Sequence, residues 1–118
     1  MRPPKRLRIG PYLYRVVCGG ERWEKIRADQ ESKDLYGIHL PHDLVIGLDP
    51  TQDPGVLRTT LLHELLHACF NLSNEPFRRV SLKGMEMEEY IIGHLETTLL
   101  SVLRDNPDLV AFLVDSDA

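Results

Sequence analysis

The sequence is organised around the stretch Thr60–Asn71, which reads TLLHELLHACFN and contains the motif His63-Glu64-Leu65-Leu66-His67. On a helix, residues four apart lie one turn above each other, so both imidazoles can face one point. This H-E-x-x-H spacing is typical of helices on which two histidines bind zinc and the glutamate activates a metal-bound water. The motif therefore predicts a metal centre on one helix.

Helical projection supports this interpretation over a core helix that carries incidental polar residues. Apolar side chains cover a wide arc of the predicted helix, namely Leu57, Leu61, Leu62, Leu65, Leu66, Ala68, Cys69, Phe70 and Leu72. The polar ones fall together in the remaining sector, namely Thr60, His63, Glu64, His67 and Asn71. A helix this apolar should be largely buried, so its polar sector needs partners, and a metal ion would supply them.

Composition favours one ordinary globular domain. The chain has 118 residues, 42% hydrophobic and 27% charged, with a net charge of −4, which gives no reason to expect nucleic acid as a partner. No apolar run approaches the roughly 20 residues that span a bilayer, and the start is a poor signal peptide, so no membrane association is expected. Cys18 and Cys69 suggest no disulfide framework, and Cys69 is expected to be a buried small residue. A cytoplasmic location is the default expectation.

Charge is distributed unevenly along the chain. Residues 1–27 carry eight Lys and Arg against two acidic residues, whereas residues 85–118 carry one Arg against eight acidic residues. This asymmetry either joins the two ends or marks a binding face, and weakly attracting solvated surfaces are the simpler explanation. Residues 1–8 are predicted to be a flexible basic arm, followed by a single domain over residues 9–118.

Alternation, turn signals and helix-start signals predict an α+β fold. The predicted strands are Tyr12–Cys18 and a hairpin of Leu35–Leu40 with Leu44–Leu48, around the turn Pro41-His42-Asp43. The predicted helices run from Pro54, capped by Asp53, to about Leu72, from about Met85 to Arg104, and from Pro107, capped by Asn106, through Leu113.

A catalytic zinc site keeps three protein ligands, so a third must come from outside the motif. The extended form of the motif is absent, because Phe70 and Ser73 occupy its glycine and histidine positions. On the second predicted helix Glu88 falls near the centre of the apolar face, where a carboxylate is costly unless it is paired or metal-bound. Glu88 is therefore the preferred ligand, and Glu89 is the alternative because a one-residue error in helix phase would exchange them.

The motif followed by Glu88-Glu89 resembles the small gluzincin-type, zincin-like metallopeptidases, in particular the ImmA/IrrE-like group and compact phage-encoded metallopeptidases. The stretches that most resemble the phage proteins are Leu61–Ala68 (LLHELLHA) and Leu103–Leu109 (LRDNPDL), and the resemblance covers roughly residues 35–113. It implies a minimal zincin-like fold with a small, mostly antiparallel N-terminal sheet, the motif helix, a ligand helix and a short C-terminal helix. It also implies zinc held by His63, His67 and Glu88, with Glu64 as general base.

The resemblance implies a peptide or protein substrate, and it suggests that Leu44–Leu48 is an edge strand along which an extended peptide pairs. The oxyanion of such a reaction needs a donor besides the metal, and the candidates are Tyr36, His39, His42 and Tyr90. Two alternatives remain. One is a zinc-bound interaction module without proteolytic activity. The presence of Glu64 makes this alternative less favoured, because a purely structural zinc site does not need a general base. The other is a metal-free helical domain in which Glu88 pairs with His63 or His67.

Overall fold

The structure, a computed structural model, describes residues 1–30, 35–72 and 85–115. Within these ranges the strands are β1 (Arg6–Ile9), β2 (Tyr12–Cys18), β3 (Gly37–Leu40) and β4 (Val45–Leu48). The helices there are α1 (Gly20–Ala28), α2 (Pro54–Leu72), α3 (Met85–Asp105) and α4 (Pro107–Val114). The predicted α+β class is confirmed. The three predicted helices agree with α2, α3 and α4 to within one residue at each end. No helix in the described ranges combines the length and apolar character that crossing a membrane requires.

The four strands form one mixed sheet in the order β1-β2-β4-β3. β1 with β2 and β3 with β4 pair antiparallel, whereas β2 and β4 run parallel. The predicted hairpin is therefore confirmed, with Leu44 in the left-handed region at φ 53° in its turn. The expectation that Leu44–Leu48 forms an edge strand is wrong. All four residues of β4 are buried, as an interior strand that is covered on both faces requires, and β3 is the edge.

The N-terminal strand corrects the prediction of a flexible arm over residues 1–8. Arg6, Leu7, Arg8 and Ile9 form β1, in which Leu7 is 0% and Ile9 1% exposed. The two apolar side chains alternate with the arginines, so the strand buries one face and leaves the basic face in solvent. Four residues with two arginines are too short and too charged to stand out as a strand in the sequence.

The sheet is covered on both faces. One face packs on α2, α3 and α4 through the larger core cluster, to which Leu7, Tyr14 and Ile46 contribute from the strands. The other face packs on α1, where Trp23 is 1% exposed and contacts Val17 and Val45. No helix was predicted for this segment, and α1 has little apolar periodicity, since Trp23 is its only fully buried residue.

Asn106 joins the helices to the sheet. It stands at the predicted N-cap position of α4, but its side chain makes no capping hydrogen bond. Its Oδ1 instead accepts from the Arg8 amide at 2.8 Å, and its Nδ2 donates to the carbonyl oxygens of Arg8 at 2.9 Å and Val102 at 2.7 Å. The turn between α3 and α4 is thereby held against β1.

Candidate metal centre

Helix α2 is half buried, not largely buried as the sequence predicted. Its buried side chains are Leu61, Glu64, Leu65, Ala68 and Cys69. The exposed face carries His63 and His67. It also carries three apolar residues, Leu62, Leu66 and Phe70, and each of these three is 37–38% exposed. Cys69 is a buried residue of the core, as predicted, and burial raises the pKa of its thiol to about 11. The motif therefore lies across the boundary of the core, with its glutamate inside and its histidines outside.

The two histidines have the geometry of a chelating pair. Their Nε2 atoms lie 3.1 Å apart, and the ring planes are inclined at 76° with the ring centres 4.7 Å apart. A tetrahedral zinc ion with Zn–N bonds of about 2.0–2.1 Å separates two ligand nitrogens by about 3.3 Å. The helix thus presents the nitrogens close to the spacing that one ion requires. Without metal, the same atoms can share a hydrogen bond.

Glu64 lies at the inner edge of this pair. Its side chain is 7% exposed, and burial raises the pKa of its carboxyl group, while the neighbouring charges of His63 and His67 oppose the rise. One potential ligand atom from each of His63, Glu64 and His67 lies within 4.8 Å of the others, and these three are the one such group of His, Cys, Asp and Glu in the described ranges. Two imidazole nitrogens suit a zinc ion, and the carboxylate beside them is placed to act on a water bound to that ion.

Strand β3 runs close beside this glutamate because residue 37 is glycine. A Cβ atom on Gly37 would lie 2.7 Å from Cγ2 of Thr60 and 3.2 Å from Cγ of Glu64. The edge strand and α2 therefore approach each other more closely at this point than any larger residue would allow.

His39, on the same strand, is a second polar group next to the histidine pair. Its Nε2 lies 2.7 Å from the hydroxyl oxygen of Tyr14, a residue that is only 3% exposed. Burial lowers the pKa of His39, and the charge of His67 lowers it further. Both effects favour the neutral ring of His39, which can share a hydrogen bond with the Tyr14 hydroxyl.

The predicted third ligands do not join this group. Glu88 and Glu89 lie in the first two turns of α3, and both are exposed, so Glu88 does not occupy the buried packing position from which its role was argued. The residue of α3 that shares a cavity with the histidines is Leu95, which lines a space of about 510 Å³ with His63 and His67. Glu88 shares a helix stripe with Leu95 but stands two turns, about 10 Å, further along the axis. A carboxylate ligand from α3 stays a prediction.

The four proposed oxyanion donors separate into two groups. Tyr36 lines a cavity of about 400 Å³ with Gly37, His63 and Glu64, and His39 lies close to His67. His42 and Tyr90 instead line cavities that contain none of the three motif residues. The structure thus brings two of the four candidates to the motif.

Comparisons of the chain with protein-family models, with curated proteins and with solved structures found no match.

Proposed function

We propose that the protein is a zinc-dependent hydrolase of peptide bonds whose centre is formed by His63, His67 and Glu64. The observation that carries the proposal is the 3.1 Å separation of the two Nε2 atoms beside a buried carboxylate. A structural zinc site is normally closed by four side-chain ligands and has no use for such a carboxylate. A centre with few protein ligands and an adjacent base is the arrangement of hydrolytic zinc sites.

Glu64 is suited to the role of general base. A zinc ion held by the histidines would polarise a peptide carbonyl and lower the pKa of a bound water. Burial raises the pKa of the Glu64 carboxyl towards the range in which a carboxylate both accepts and returns a proton near neutral pH. It would take the proton of the water and pass it to the leaving amine.

The edge strand supports a peptide as the substrate. The amide of Asp49 donates to the carbonyl oxygen of Tyr36 at 2.9 Å, so Tyr36 turns its carbonyl towards β4. Backbone groups alternate in direction along an antiparallel strand, so the N–H and C=O groups of Gly37 and His39 point to the free edge of β3. An extended peptide that paired with this edge would form backbone hydrogen bonds with Gly37 and His39, the residues of β3 nearest the motif.

Metal analysis tests the centre. Protein purified without added metal is expected to contain about one zinc per chain, and His63→Ala and His67→Ala are each expected to lose it. His42→Ala is the matched control, because His42 is an exposed histidine away from the motif. Zinc retained by both motif variants would refute the site. Parallel Glu88→Ala and Glu89→Ala variants identify which carboxylate, if either, completes it.

A peptide-library cleavage assay tests the activity. Wild-type protein is expected to cleave, and Glu64→Gln is expected to retain zinc while it loses about a thousandfold or more in rate. Zinc binding without cleavage by the wild type would refute the hydrolase. It would favour the interaction module, for which the exposed Leu62, Leu66 and Phe70 beside the histidines offer an apolar contact surface.

A further inference from the structure

Another cavity lies between the N-terminal residues and the end of β2, and none of the three motif residues lines it. Its volume is about 680 Å³, within the range of small-molecule sites. Four exposed cationic side chains line it, those of Arg2, Lys5, Arg6 and Arg15. We call it the N-terminal cleft.

The pairing of β1 with β2 concentrates charge at this cleft. Arg6 lies directly opposite Arg15 in the register. The Val16 amide donates to the Lys5 carbonyl at 2.8 Å, while the Arg15 amide donates across to Leu44 of the β3–β4 turn at 2.9 Å. Arg6 and Arg15 therefore form a non-hydrogen-bonded pair, the kind in which Cα atoms are only about 4.5 Å apart and the side chains are closest.

Two arginines in such a position repel each other, and like charges directly opposite in a sheet are destabilising. Within residues 1–30, 35–72 and 85–115, the ion pairs involve other cations, and none is formed by the four that line the cleft. None of these four cations is therefore neutralised by an ion pair with a described acidic side chain, whereas the ammonium group of Met1, another lining residue, lies 3.8 Å from Asp115. A doubly charged anion between the two guanidinium groups would remove the repulsion and match their planar, bidentate donors.

The walls of the cleft are apolar as well as basic. Pro3, Val17 and Pro50 line it alongside the cations. Pro3 and Pro4, which precede Lys5, supply no amide that could extend the β1–β2 ladder towards the N-terminus. A ligand that fills it should carry an apolar body next to its charge.

We propose that the N-terminal cleft binds a small organic phosphate monoester, with the phosphate between Arg6 and Arg15 and the organic part against the prolines and Val17. A nucleic-acid strand fits less well, because the protein carries a net charge of −4 and the uncompensated cations lie in one concave site and not along a track. The proposal does not depend on the metal centre.

The test is a titration of the metal-free protein with phenyl phosphate, followed by amide chemical shifts in NMR spectra at low ionic strength. Saturable shifts are expected at the end of β2, and phenyl phosphate should bind about fivefold more tightly than inorganic phosphate because of its ring. Arg6→Gln/Arg15→Gln should weaken binding at least about tenfold. Arg22→Gln/Lys25→Gln on α1 removes the same charge outside the cleft and should change binding less than about twofold.

The Arg6→Gln/Arg15→Gln variant should remain folded, because it removes a repulsion between exposed side chains. Its thermal midpoint should equal or exceed that of the wild type. Three results would overturn the proposal. They are the absence of saturable shifts, an equal loss of binding in the α1 control, and equal affinity for the two phosphates. Tighter binding of a single-stranded oligonucleotide than of phenyl phosphate would also overturn it, in favour of an extended basic surface.

Discussion

Substitution of Gly37 by alanine tests the close contact of β3 with α2. The new Cβ atom would lie 2.7 Å from Cγ2 of Thr60, 3.2 Å from Cγ of Glu64 and 3.2 Å from the carbonyl oxygen of Gly47. Carbon atoms pack at about 3.5–4.0 Å. The strand or the helix must therefore move by about 1 Å, and the two nearest side-chain atoms belong to a single face of α2.

The magnitude follows from two opposing terms. Overpacking of a close contact costs about 1–3 kcal/mol. Replacing glycine by alanine also reduces the freedom of the unfolded chain, which returns about 0.4–1 kcal/mol because Gly37 is not in the left-handed region. Gly37→Ala should therefore lower the free energy of unfolding by about 1–2 kcal/mol, measured by urea denaturation of the metal-free protein.

A double-mutant cycle assigns the cause. Thr60→Ser removes the methyl group that the new Cβ would meet but keeps the hydroxyl that donates to Oε1 of Gln52 at 2.7 Å. In that background Gly37→Ala should cost at least about 0.5 kcal/mol less. The control is Gly93→Ala on α3, where a Cβ meets nothing within 4 Å, and which should stabilise the protein by about 0.5–1 kcal/mol. A neutral Gly37→Ala, or a cost that Thr60→Ser leaves unchanged, would refute the close approach.

Two further substitutions test the burial of polar side chains. Burial raises the pKa of the Glu64 carboxyl above its ordinary 4.5, so the folded metal-free protein binds this proton more tightly than the unfolded chain. The stability of the folded protein should fall as the pH rises from 4.5 to the folded-state pKa of Glu64, and Glu64→Gln should remove that fall. Parallel pH profiles of the thermal midpoint for the wild type and Glu64→Gln would contradict this. Asn106→Ala deletes three hydrogen bonds, two from the α3–α4 turn to Arg8 of β1 and one to Val102 of α3, and it should lower the free energy of unfolding by about 3 kcal/mol in urea. A loss below about 1 kcal/mol would show that the side chain does not hold the turn to β1.

The elements with strong local signals were predictable from the sequence. Asp53-Pro54 and the apolar periodicity define α2, and the alternation on both sides of Pro41-His42-Asp43 defines the hairpin. The strand order was not predictable, because the parallel pairing of β2 with β4 joins segments that a helix and a strand separate. That pairing makes β4 an interior strand and leaves β3 at the edge.

The position of Glu88 illustrates a limit of helical projection. The predicted packing face of α3 is confirmed in its C-terminal half, where Leu95, Leu99 and Val102 contact the core. Ile92, which projects onto the same face, is 49% exposed. Projection gives the direction of a side chain around the axis, but it does not tell how far along the axis the contact with other elements extends. Glu88 has the right direction and nevertheless lies in an exposed turn.

The apolar residues of α2 determine which member of the motif enters the core. Leu61, Leu65 and Ala68 define the buried face, and Glu64 lies about 60° from Leu61 on its margin. His63 and His67 lie about 60–100° further round the helix, in solvent. A shift of the apolar pattern by one residue towards the N-terminus would bury His67 together with Glu64, and a shift by one residue towards the C-terminus would place the carboxylate on the side opposite the core. The order of burial that the proposed chemistry needs, a desolvated base beside accessible metal ligands, thus follows from the spacing of leucines and not from the motif alone.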